Sequence, residues 1–222
     1  MKAIKEFFKS NNQIIILGTL LNFILSPLWQ GVMILPSSLI TVTSFSLVIF
    51  ASLIASNHKL FQRSILLIGL AVLTVVWLEF TNYLSFPLSL TRMYFSLFLF
   101  LLLFIILIRN VLQTKIIHLK IIVNVMSGFI LLGIVGGVCF EILDYFAPNS
   151  LSFTTPKSAY SFYYFSFINL TSVGFGDITP NSPQAQATTV ILGVLGQFYL
   201  AFGVSVFIGK YLSQQNRETE NF

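Results

Sequence analysis

The apolar residues of this chain fall into six runs, and the short stretches between them carry nearly all the charge. The runs cover about 13–25, 35–55, 65–80, 93–108, 121–140 and 185–208. A helix that crosses a bilayer needs about 20 residues. The last two runs meet that length within their marked ends. The first, third and fourth need a few flanking residues to reach it. Between the fifth and sixth runs lies a different pattern. Residues 160–170 are apolar and aromatic, too short a stretch to span as a helix, and they lead straight into a glycine-rich segment. A short helix followed by irregular backbone is the pattern of a re-entrant loop. At membrane depth such backbone is tolerated only where protein buries it or where it lines a water-filled path. The expected fold is an all-α membrane protein with six transmembrane helices and one re-entrant helix and loop.

Composition agrees with that reading. The chain is 56% hydrophobic and 9% charged, with 24 phenylalanines. A soluble domain carries about one quarter charged residues, so a soluble fold of this chain lacks the polar surface to cover itself. The net charge of +5 lies singly between the runs, which fits membrane topology better than nucleic-acid binding. With the N-terminus placed in the cytoplasm, Lys2, Lys5, Lys9, Lys59, Arg63, Arg109, Lys115, Lys120, Lys210 and Arg217 fall inside. Only Arg92 and Lys157 fall outside. Both termini are then cytoplasmic and the re-entrant loop enters from the outer side. Residues 1–10 resemble the start of a signal peptide, but no small-residue cleavage motif follows, so a retained first helix is expected. Cys139, the single cysteine, excludes an intrachain disulfide and any metal site built on cysteine pairs, and reads as a packing residue. His58 and His118 fall in cytoplasmic turns and suggest no metal site. An enzyme would need a polar catalytic cluster, and none is present. A secondary transporter would show internal repeats and paired broken helices; this chain has one re-entrant loop and no repeat. No cofactor is expected.

The chemistry is concentrated in Asn169-Leu170-Thr171-Ser172-Val173-Gly174-Phe175-Gly176-Asp177. A dehydrated cation must exchange its water oxygens for others that do not hold it too tightly. Stacked backbone carbonyls from several subunits meet that need. Ordinary strand backbone alternates its carbonyls, so aiming them all at one axis requires positive φ at some positions. Gly174 and Gly176 supply that freedom at alternate residues. Val173 and Phe175 then turn their side chains away from the axis and pack on the short helix, and the Ser172 hydroxyl adds an oxygen at the inner end. The C-terminal end of the short helix, near Leu170, directs the partial negative charge of its dipole at the cation.

The run Thr171-Ser172-Val173-Gly174-Phe175-Gly176-Asp177 resembles the filter of potassium channels. The resemblance extends over about 121–211: outer helix, pore helix, filter and inner helix. It implies a homotetramer around a central pore, with K⁺ bound at Ser172, Val173, Gly174 and Phe175 and the filter closed by Gly176. Thr171, Asp177 and the aromatic run Tyr163-Tyr164-Phe165 are implied as filter supports, and Ile178-Thr179-Pro180 also fits. It implies as well a membrane-lipid setting with no nucleic acid, as in small bacterial six-helix potassium channels of the inner membrane. Their fourth helix lacks a charged sensor, and here Arg92 and Arg109 stand only at the edges of the fourth run. The implied domains are 1–115, a four-helix membrane domain; 116–212, the pore domain; and 213–222, a short polar cytoplasmic tail.

Two residues depart from the family pattern. Ser172 stands where threonine is usual, and Phe175 where tyrosine is usual. Both leave open a weakly selective monovalent cation channel as the alternative. Within the sixth run, Gly196 matches a glycine at which the family's inner helix bends, and close packing is the other reason for a glycine there. Gln197 and Leu200 are expected to line the cavity. Gly128, Gly133, Gly136 and Gly137 give the fifth run a small-residue surface for close helix packing. Asn22 is expected to make a helix–helix hydrogen bond, and Glu79 to sit at an interface. Glu141 and Asp144 either enrich cations at the mouth with Asp177 or belong to a solvated helix end.

Overall fold

The computed structural model describes residues 12–32, 37–55, 59–81, 89–114 and 119–220. Lys2, Lys5, Lys9, His58, Lys115 and His118 lie outside the described residues, as do the side chains of Lys59 and Arg217. The elements are α1 (Asn12–Ile24), α2 (Ser26–Val32), α3 (Ser37–Ala55), α4 (Lys59–Thr81) and α5 (Ser89–Gln113). They continue with α6 (Leu119–Phe146), β1 (Leu151–Phe153), α7 (Ala159–Leu170), β2 (Ile178–Pro180) and α8 (Pro183–Glu220). Each apolar run seeds a helix. The third and fourth runs gain residues at both ends, because helical hydrogen bonding continues beyond the apolar core. Among the described residues three helices are long and apolar enough to cross a membrane: α5, α6 and α8. Two shorter apolar helical stretches are Asn12–Ile24 and Val42–Leu53.

The chain divides into two compact units, Met1–Leu103 and Phe104–Phe222. The first unit packs α1 on α3 and α3 on α4. Phe23, Phe45 and Phe100 form its aromatic centre, with Phe23 and Phe45 edge-on at 5.2 Å and Phe45 and Phe100 at 5.9 Å. Edge-to-face rings at such separations are favourable beyond the area they bury. The Asn22 amide donates to the Ser44 hydroxyl at 3.3 Å, the helix–helix bond expected of it. Glu79 and Arg92 pair at 3.0 Å, so each satisfies the other's charge.

In the second unit, α7 packs on both α6 and α8, and α6 packs on α8. The glycines of α6 make this possible. A Cβ on Gly137 would strike Tyr163, with the Tyr163 Cα at 2.9 Å. One on Gly136 would strike Ser166 and Leu192, and one on Gly133 the ring of Phe167. The Ser166 hydroxyl donates to the Gly133 carbonyl at 2.6 Å, a bond reachable only at this close approach. Lower on α6, the Tyr199 hydroxyl of α8 donates to the Val125 carbonyl at 2.9 Å and lies against Gly128. Gly128→Ala is therefore expected to destabilise the protein by about 1–3 kcal/mol through overpacking. Adding Tyr199→Phe removes the obstructing oxygen and should recover most of that loss, since the ring carbon behind it lies 3.1 Å from the new methyl. Thermal unfolding of the single and double variants in detergent checks this.

A two-stranded antiparallel ribbon joins the segments on either side of α7 and the loop that follows it. Phe153 pairs with Ile178 and Leu151 with Pro180. Thr154 N–H donates to the Asp177 carbonyl at 3.0 Å, and Asn181 N–H to the Ser150 carbonyl at 2.8 Å. Toward the other end of α8, the Lys210 ammonium donates to the carbonyl of Val111 at 2.8 Å and to that of Thr114. Carbonyls at a helix C-terminus have no partner within the helix, and a lysine is well suited to cap them.

Candidate functional site

The short helix α7 starts on a reciprocal cap. Ser158 Oγ accepts from Ser161 N–H, and Ser161 Oγ accepts from Ser158 N–H at 3.1 Å. At 12 residues it is about 18 Å long, well short of a bilayer. One flank carries Phe162, Phe165 and Ile168 into a core shared with Phe140 of α6, Leu192 of α8, Leu151 and Ile178. The Phe140 and Phe165 rings meet at 4.8 Å.

The chain beyond α7 folds back over its last turn. Thr171 N–H donates to the Phe167 carbonyl, Ser172 N–H to that of Asn169 at 3.0 Å, and Val173 N–H to that of Ile168 at 2.9 Å. The helix-end carbonyls are thereby satisfied by the residues that follow them. From here φ is positive at every second residue: 59° at Ser172, 52° at Gly174 and 79° at Gly176. Val173 and Phe175, between them, are not in that region. A backbone whose handedness alternates residue by residue can turn successive carbonyls to one side, which a regular strand cannot. Gly174 and Gly176 are the expected positions. Ser172 is an addition, and as a non-glycine residue it carries a steric cost there.

The supporting residues separate. A helix turns by about 100° per residue, so three consecutive side chains cannot face one way. Of the aromatic run, Tyr164 reaches the loop, its hydroxyl near the Asp177 carboxylate. Tyr163 and Phe165 face α6 instead: the Tyr163 hydroxyl donates to Glu141 at 3.5 Å, and Phe165 lies on Phe140. The Thr171 hydroxyl donates back to the Phe167 carbonyl at 2.7 Å, which steadies the end of α7. Val173 and Phe175 are 53% and 71% exposed within the single chain. Glu141 is buried and Asp144 pairs with Lys157 at 2.5 Å, beneath the rings of Phe153 and Phe162. Neither carboxylate is free to gather cations at the loop. No cluster of three or more potential metal-ligating side chains occurs among the described residues.

From α8, Gly196 stands directly against the last turn of α7. A Cβ there would strike the Leu170 carbonyl oxygen and come within 3.0 Å of Leu170 Cδ1. Through this point α8 runs as one continuous α-helix, and the close approach to α7 is a packing reason for the glycine. The next residue, Gln197, donates from Nε2 to the Ser172 hydroxyl at 2.8 Å. Leu200, three residues on and on the same face, is 48% exposed.

Residues 127–213 match the family model described as "Ion channel". This segment, less than half of the chain, is similar to an ion-channel pore domain. It takes in most of α6, the ribbon, α7, the alternating loop and most of α8. No curated protein and no solved structure matches the chain. The pore domain implies permeant ions and a membrane setting, and with three candidate spans the chain is a multi-pass membrane protein. Ion channels move ions passively, and the family is not one of enzymes.

Proposed function

We propose that the protein is a homotetrameric K⁺ channel whose selectivity filter is Ser172-Val173-Gly174-Phe175-Gly176. The observation that carries this reading is the positive φ at residues 172, 174 and 176, directly after a helix too short to span. Four such segments around an axis offer rings of carbonyl oxygens in place of a hydration shell. The exposed faces of Val173, Phe175 and α8 are then covered by neighbouring copies. Residues 1–115 form an N-terminal membrane domain, and both termini lie on the cytoplasmic side.

A weakly selective cation channel is the second reading. Ser172, which lacks a β-branch, and the exposed, hydroxyl-free Phe175 favour it. Purified protein in liposomes under opposed K⁺ and Na⁺ gradients distinguishes the two by reversal potential. Selective K⁺ flux is the expected result; equal flux supports the second reading, and no flux removes both.

Opening is expected to depend little on voltage. Each charge moved across the whole potential contributes about 2.3 kcal/mol per 100 mV. The charges of α5, Arg92 and Arg109, stand near its ends, and Arg92 is already paired with Glu79. A shallow conductance–voltage curve in symmetrical K⁺ is the outcome that fits; a steep one without blocking ions contradicts it.

A further inference from the structure

The Gln197–Ser172 contact has a role beyond lining a cavity. A serine side chain has three staggered positions about χ1 and no β-branch to favour one. Ser172 also has φ at 59°, on the first left-handed step of the loop. Left alone, that oxygen would sample several directions. Gln197 reaches it from a different helix, 25 positions later in the chain, at 2.8 Å. The reach is set in advance, because neighbouring Gly196 is seated on the Leu170 carbonyl and fixes how closely α8 approaches the end of α7. An amide N–H occupies one of the two lone pairs of the hydroxyl and leaves the other to face a cation. The restraint holds whichever amide atom meets the hydroxyl, since serine both donates and accepts.

We propose that Gln197 is a positioning residue for selectivity: its amide, carried on α8, fixes the Ser172 hydroxyl as an oxygen ligand at the inner end of the filter. This rests on the reading of residues 172–176 as a filter. Gln197 does not itself touch the ion at that site. It acts through Ser172, and its contribution depends on that hydroxyl being present.

A double-mutant cycle tests this. Gln197→Met keeps the length of the side chain and removes the amide. Ser172→Ala removes the hydroxyl. Full-length channels are reconstituted in liposomes, and the K⁺/Na⁺ permeability ratio is read from reversal potentials. Gln197→Met is expected to lower the ratio about fivefold to tenfold, the scale of one hydrogen bond. Ser172→Ala should lower it by at least as much, and the double variant no further than Ser172→Ala alone. Independent, multiplying losses overturn the proposal. So does a Gln197→Met channel with altered conductance and unaltered selectivity, which is the signature of a cavity-lining side chain only. If Gln197→Met does not assemble, Gln197→Leu is read the same way. Wild-type channels separate the two levels. A wild type without K⁺ preference removes the filter reading, whereas a selective wild type with an equally selective Gln197→Met removes this inference alone.

Discussion

Gly174→Ala is expected to abolish selective conduction while leaving the protein folded and in the membrane. Gly174 has φ at +52°, and nothing lies within 4 Å of where a Cβ would be. The cost is therefore one of backbone handedness, not of space. A left-handed conformation costs an alanine about 1–2 kcal/mol. The segment can avoid that cost by turning the residue to negative φ, and that breaks the alternation at its central step. Cation flux and reversal potential in liposomes, with gel filtration as a check on assembly, measure the effect. Retained K⁺ preference in Gly174→Ala would remove residues 172–176 as the filter.

Gly196→Ala is expected to be as severe by a different route. The new methyl meets the Leu170 carbonyl oxygen and its carbonyl carbon, the latter at 3.1 Å. These are backbone atoms of the last turn of α7, and they cannot swing aside as a side-chain end can. Either α8 moves away or the end of α7 shifts, and with it the base of the loop. A destabilisation of about 2–3 kcal/mol is expected, at the upper end for overpacking, together with loss of selective flux. Gly209, also in α8, is the control: nothing lies within 4 Å of its Cβ position. Gly209→Ala should be neutral or stabilise by about 0.5–1 kcal/mol through helix propensity. A stable Gly196→Ala channel with altered open probability and intact selectivity would instead support a bending role for Gly196.

These two glycines show how far the sequence could be read. Gly174 was legible because positive φ is what glycine is for, and its spacing from Gly176 announced alternation. The left-handed Ser172 was not legible, since nothing in a serine marks it for that conformation; the hydrogen bonds from Val173 and Gly174 back to Ile168 set it. Gly196 was visible as a glycine needing a reason, but its neighbour Leu170 lies on another helix, so the packing contact was not legible. The bond from Gln197 to Ser172 was hidden for the same cause.

The helices themselves were readable from hydrophobic runs, because burial or lipid contact demands apolar length. Their ends were not, since polar residues such as those of 109–113 extend α5 at little cost. The strands Leu151–Phe153 and Ile178–Pro180 escaped notice because three residues are too few to show an alternation. The separate orientations of Tyr163, Tyr164 and Phe165 do not show in three consecutive aromatic residues. Only helical geometry separates the one that meets Asp177 from the two that meet α6.

The small ribbon has a consequence for how the chain folds. Phe153 and Ile178 are partners, and the loop they close contains α7 and the alternating segment complete. The entropy of closing a loop grows only slowly with its length, and contacts this near in sequence form without a long search. The pore loop is thus clasped at its base by its own chain, through Thr154 to Asp177 and Asn181 to Ser150. It is a unit of low contact order, whose two ends meet without waiting for α8 or for another subunit to arrive.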